Sequence, residues 1–93
     1  MVIGLLQASF SIPEARSLKD KRSVLRSMKD RFINRMNVSV AEVGQQDLWN
    51  AAAFAFVTVA AEKMVVEQRL SALAGLLRSN PRVVLLDLHT ELL

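Results

Sequence analysis

Cysteine is absent from this 93-residue chain. That removes a disulfide framework, a thiol nucleophile and a zinc-ribbon site together. Histidine and tryptophan occur once each, tyrosine not at all and glycine three times. Long apolar runs are missing too. Beyond the N-terminal segment the longest charge-free stretch, Leu48 to Ala61, has 14 residues and includes Asn50 and Thr58. A membrane span needs about 20 predominantly apolar residues. No basic segment precedes the apolar N-terminus, whose first charge is Glu14, so it does not read as a signal peptide. The expectation is a soluble cytoplasmic protein without a membrane partner.

What is present is apolar. At 52% hydrophobic residues, glycine not counted, the chain exceeds the ~45–50% usual for soluble domains with glycine included. Disorder is excluded by that content, and the length suits one domain over 1–93. So small a domain should struggle to hide this much apolar surface alone.

Hydrophobic periodicity divides the chain into six elements. Met1 to Ile12 carries no charge. Val2, Leu6, Ala8, Phe10 and Ile12 fall on one face of a strand there, and Ile3, Leu5, Gln7 and Ser9 on the other. Apolarity on both faces predicts a central strand. Ser17 is a suitable helix N-cap, with Asp20 three residues on in the capping-box arrangement. Leu18, Leu25, Met28, Phe32 and Met36 then form one helical stripe ending near Met36 or Asn37. Val38 and Val40 alternate with Ser39 and Ala41, the pattern of an edge strand, before a turn around Gly44-Gln45-Gln46-Asp47. Leu48 to Ala61 reads as a second central strand, because Phe, Val and Thr dominate its later half. Val66, Leu70, Leu73 and Leu77 mark a second helix, which Asn80-Pro81 ends. Val83 to Leu88 is a last strand, fraying towards Leu93. The order β-α-β-β-α-β predicts an α+β, ferredoxin-like sandwich: a four-stranded antiparallel sheet with both helices on one face.

The formal net charge of +3 hides a segregation. Residues 16–35 hold eight of the twelve Lys and Arg against Asp20 and Asp30, a net +6, and the remainder carries −3. Lys19, Arg22, Arg26 and Lys29 line one flank of the first helix at i, i+3, i+7, i+10, with Arg31 and Arg35 on the other. Lys21 lies beside the apolar stripe, where its stem can snorkel. Such a stripe suits phosphates, bound by a salt-sensitive, sequence-independent attraction. Cations in the first turns of a helix are mildly unfavourable, by about 0.3–1 kcal/mol each. Placing Lys19, Lys21 and Arg22 there points to a partner.

Catalytic chemistry is thin. Asp87, His89 and Glu91 share one strand face at metal-ligand spacing, but no further ligand cluster accompanies them, and no base is paired with a nucleophile. Neither metal nor cofactor is expected. Phosphate-cradling enzymes of this fold class place a glycine-rich loop after the first strand. Here Ser11-Ile12-Pro13-Glu14-Ala15-Arg16-Ser17 has an arginine, no glycine and a repelling Glu14. Phe54 and Phe56 share a strand face but lack a surrounding ribonucleoprotein motif, so they read as core or interface.

Two segments carry a resemblance. Ile12-Pro13-Glu14-Ala15-Arg16-Ser17-Leu18-Lys19-Asp20-Lys21-Arg22 resembles the signature of the DUF503 family, the YlxP-like small bacterial proteins. So does Asn37-Val38-Ser39-Val40-Ala41-Glu42-Val43-Gly44, with Asp47 and Trp49 after it. The resemblance implies a ferredoxin-like fold, a bacterial cytoplasmic setting and genes neighbouring those for translation initiation factor two and ribosome-binding factor A. It implies no established activity.

The combined expectation is a non-enzymatic RNA- or ribosome-associated protein. Its phosphate-contacting residues are Arg16, Lys19, Lys21, Arg22, Arg26 and Lys29, and it forms a homodimer through the helix-free sheet face. A small-molecule-binding regulatory dimer and a protein-protein interaction module are the alternatives.

Overall fold

A computed structural model describes residues 1–93. The first strand, β1 (Val2–Ser11), leads to α1 (Leu18–Arg35), β2 (Ser39–Gly44), β3 (Ala51–Ala60), α2 (Lys63–Ser79) and β4 (Val84–Leu92). The sheet order is β2-β3-β1-β4, with every neighbouring pair antiparallel. The two strands with two apolar faces, β1 and β3, are therefore the central ones. This is the ferredoxin-like α+β fold that the element order predicts. No helix is long and apolar enough to cross a membrane.

The pleat sorts the side chains. Leu6, Ala8, Phe10 and Ile12 of β1 and its extension are buried with Ala52, Phe54, Phe56 and Thr58 of β3. Val24, Leu25, Met28 and Phe32 of α1 and Val66, Leu70, Leu73, Ala74 and Leu77 of α2 close over them. Four rings link the layers edge to face. Phe10–Phe54, Phe54–Phe56 and Phe56–Phe32 have centroids 5.3, 5.9 and 5.0 Å apart, a geometry that aromatic quadrupoles favour. Phe54 and Phe56 are thus core, not a displayed platform. Gly4 permits the close approach of α2 to β1: a Cβ there would overlap Val66 Cγ1 and lie 3.2 Å from Leu70 Cδ1.

Three local expectations need correction. First, β4 does not fray after Leu88. It pairs with β1 as far as Leu92 opposite Gly4, and Leu93 N–H donates to Ile3 O at 2.8 Å. The central strand supplies partners along its whole length, which outweighs the polar Asp87-His89-Thr90-Glu91 alternation. Second, the strand expected to begin at Leu48 begins at Ala51, because residues 45–50 form the β2–β3 turn, with Gln45 in the left-handed region at φ 61°. Third, Leu18 is 39% exposed, and the α1 stripe toward the sheet starts instead at Lys21 and takes in Val24.

The apolar surplus remains on the surface. Val43, Val57, Val59, Val84 and Leu86 are all exposed. By register Val57, Val59 and Val84 belong with Ile3, Leu5, Ala53 and Ala55 on the face away from the helices, while Val43 and Leu86 are the unpaired residues at the irregularities of β2 and β4.

Candidate nucleic-acid interface

The start of α1 is built by its cap. Asp20 N–H donates to Ser17 Oγ at 3.1 Å, as the sequence predicts. The reciprocal bond is displaced by one residue: Asp20 Oδ2 accepts from the Arg16 N–H at 3.1 Å, outside the helix. Asp20 is the one acid in the first turn of α1, where it also meets the positive end of the helix dipole.

Lys21 leaves the basic stripe altogether. Its side chain is 2% exposed, so it is not a phosphate contact, contrary to its place in the sequence-predicted set. At i, i+4, i+7, i+11 it shares the sheet-facing stripe with Leu25, Met28 and Phe32, and its stem does not snorkel to water. Instead Nζ donates to Gln45 O at 2.8 Å and Leu48 O at 2.6 Å. It also lies 3.0 Å from Glu42 Oε2. That last contact is charge to charge without hydrogen-bond alignment, since Oε2 is buried and has no hydrogen-bond donor. A buried ammonium is tolerated only when paired and hydrogen-bonded, and here two carbonyls and a carboxylate satisfy it. The two segments that carry the family resemblance, residues 12–22 and residues 37–44 with Asp47 and Trp49, meet here through Lys21 and Glu42, and the carbonyls come from Gln45 and Leu48 of the turn between.

The other cations of the stripe behave differently. Arg16, Lys19, Arg22 and Arg26 are exposed and Lys29 is half-buried. Lys29 Nζ stands 5.7 Å from the Phe54 ring centroid, near the outer limit of a cation–π contact. None of these five forms an ion pair, nor do Arg31 and Arg35; the ion pairs are Lys21–Glu42, Lys63–Glu67, Arg82–Glu14 and His89–Glu91. Arg22, Arg26 and Lys29 line a shallow groove of about 320 Å³ between α1 and β2, together with Asp30, Ile33 and Glu42. Glu42 opposes an anion there, but Lys21 offsets its charge from the buried side. From Lys19 to Lys29 the stripe runs about 15 Å at 1.5 Å per residue. Removing Lys21 from the set leaves Lys19 and Arg22 as the unfavourable cations in the first turns of α1.

The remaining candidate sites stay dispersed. Glu14 pairs with Arg82 at 2.8 Å. In the same loop the Ala15 and Arg16 N–H groups already donate to Ile12 O and Asp20 Oδ2, so two of its amides are committed within the chain. Asp87, His89 and Glu91 do not converge into a group of three ligands; only His89 and Glu91 approach, at 4.0 Å. A polar junction that no sequence pattern announced ties the far end of the fold. Buried Thr58 Oγ1 donates to Asn37 O at 2.8 Å and accepts from Arg69 Nη1 at 2.9 Å.

Comparison with known proteins agrees with the resemblance. The model of the family described as protein of unknown function (DUF503) matches residues 3–90. The uncharacterized protein YlxP of Bacillus subtilis (strain 168) is 32% identical over 90 residues, covering 97% of this chain and 98% of its own length. The chain belongs to the DUF503 family.

Proposed function

We propose that this protein is a non-enzymatic RNA- or ribosome-associated protein that holds phosphates on the outer flank of α1. The observation that carries the reading is the row Arg16, Lys19, Arg22, Arg26 and Lys29, all without carboxylate partners. Asp30 and Glu42 line the same groove, but neither forms an ion pair with any of the five. Exposed cations usually gain little from intramolecular pairs, but several aligned along one helix create a field suited to a polyanion. The hollows of the surface are open grooves rather than enclosed cavities. That favours an extended ligand over the small molecule of the alternative reading.

The open sheet face is the second half of the proposal. By register it carries Ile3, Leu5, Ala41, Ala51, Ala53, Ala55, Val57 and Val59 across β1, β2 and β3, the polar Gln7, Ser9 and Ser39, and Asp87, His89 and Glu91 along β4, with no Lys or Arg. A face without Lys or Arg, and with Asp87 and Glu91 along its β4 edge, does not suit phosphates, whereas the apolar surface across β3 and the start of β1 marks an interface. A second copy of the chain, docked sheet to sheet, covers it while leaving both α1 helices outward.

The test is titration of 30S ribosomal particles and of ribosomal RNA fragments at several salt concentrations. It compares the wild type with the variant carrying Lys19→Gln, Arg22→Gln, Arg26→Gln and Lys29→Gln. Binding should weaken as salt rises, and the variant's log–log salt slope should be smaller by about 2.8–3.6, at ~0.7–0.9 for each phosphate no longer neutralised. Equal affinity and slope in the two proteins would remove the proposed site.

A further inference from the structure

We infer that Trp49 is a stacking platform for an unpaired base of the RNA whose phosphates lie on α1, which makes single-stranded or looped RNA the ligand class. The inference rests on the phosphate-binding reading above and adds to it the part of the nucleotide that is not phosphate.

Trp49 stands apart from every other aromatic in the chain. The four phenylalanines are at most 3% exposed, whereas Trp49 is 52% exposed and its neighbour Leu48 49%. The indole therefore contributes little to the core. A large ring left in water is ordinarily placed where the chain is mobile or where a partner covers it. Here the backbone on both sides of it is tethered. Leu48 O accepts from Lys21 Nζ at 2.6 Å, and Asn50 O accepts from the Ile12 N–H at 2.8 Å. Leu48 N–H closes the turn on Gln45 O at 3.1 Å. A buried cation, an extra strand-end bond and a left-handed Gln45 thus fix a two-residue apolar tip with about half of its surface open to solvent. Preorganisation of this kind lowers the entropy cost of binding.

Its location selects the partner. Lys21, which grips Leu48 O, sits in the first turns of α1 between Lys19 and Arg22, so the tip stands at the N-terminal end of the cation row. Aromatic rings beside a basic track are the arrangement that single-stranded nucleic acid requires, since every base has a face to stack and every linkage a phosphate to neutralise. A duplex keeps its base faces stacked internally and has nothing to offer the indole. Lys21 is then a positioning residue, acting on the ligand only through the turn that it holds.

As the only tryptophan, Trp49 reports on itself. Intrinsic fluorescence is titrated with a single-stranded 12-nucleotide RNA and with the same RNA as a duplex, in the wild type, Trp49→Phe and Trp49→Ala. Affinity is read in parallel from a dye on the RNA. The single strand should quench the emission and the duplex should not. Trp49→Ala should weaken single-strand binding by about 5- to 100-fold, the worth of one base stack, with the salt slope and the melting temperature unchanged. Trp49→Phe should retain most of the affinity. Wild-type affinity in Trp49→Ala, or stronger binding of the duplex, overturns the stacking role while the phosphate reading survives. Binding of neither RNA by the wild type overturns both, and a nuclease-resistant protein partner that Trp49→Ala no longer holds replaces RNA with a protein at this surface.

Discussion

The Lys21 ammonium offers the sharpest quantitative test. Methionine matches the unbranched stem of lysine and fills the same space, so Lys21→Met removes the charge with little change in packing. Three interactions go with it: the bonds to Gln45 O and Leu48 O and the contact with Glu42. Breaking one side of a buried ion pair costs about 3–5 kcal/mol, because the abandoned partner remains desolvated. Glu42 is 21% exposed and the turn carbonyls lie near the surface, so water recovers part of this. A loss of about 2–4 kcal/mol follows. In urea unfolding followed by circular dichroism, the midpoint should fall with the m-value unchanged. In a domain of this size the melting temperature should drop by about 10–25 °C. The second variant, Lys21→Met with Glu42→Gln, should be more stable than Lys21→Met alone, since the stranded carboxylate is gone. A single-variant loss below about 0.5 kcal/mol, the level of an ordinary surface change, would falsify the clamp. Strict additivity of the two substitutions would show that Lys21 and Glu42 are uncoupled. The same variant should weaken phosphate binding, because Glu42 would then face the Arg22–Arg26–Lys29 groove uncompensated.

Two further expectations concern the sheet. Gly4→Ala places a methyl group against Val66 and Leu70, and the overpacking should cost about 1–3 kcal/mol in the same urea assay. A stability equal to that of the wild type would mean that α2 shifts freely on β1. Val57, 41% exposed on the open face, tests the proposed dimer. Sedimentation equilibrium of the wild type should give twice the 10.4 kDa chain mass, and Val57→Lys should give the single mass with the fold retained. A dimer that survives Val57→Lys lies on another surface.

How far these features were legible in the residues depends on whether the physics is local. Apolar alternation, helical spacing, the Ser17 cap and the Asn80-Pro81 stop belong to single elements, and with the rule that two-sided apolar strands lie centrally they specify the ferredoxin-like topology. The segregation of charge onto residues 16–35 is also a property of the one-dimensional chain. Which cations of that helix reach water is not. Lys21 and Arg22 are adjacent and chemically alike, yet one is sealed beneath the β2–β3 turn and the other faces the groove. The 100° step of the helix turns them apart, and the turn that seals Lys21 arrives from residues more than twenty positions away. A spacing of i, i+4, i+7 with Leu25 and Met28 was the available signal, obscured because a lysine is rarely read as a core residue. Strand β4 follows the same rule. Its alternation suggests fraying, and only pairing along the full length of β1 holds it to Leu92. The sequence alone determined the elements, their order and the location of the charge. The tertiary structure decided which lysine is structural, that Phe54 and Phe56 are interior while Trp49 is not, and that Val57, Val59 and Val84 are left uncovered on the open sheet face. Those outcomes depend on contacts between residues far apart in the chain, where no periodicity extends.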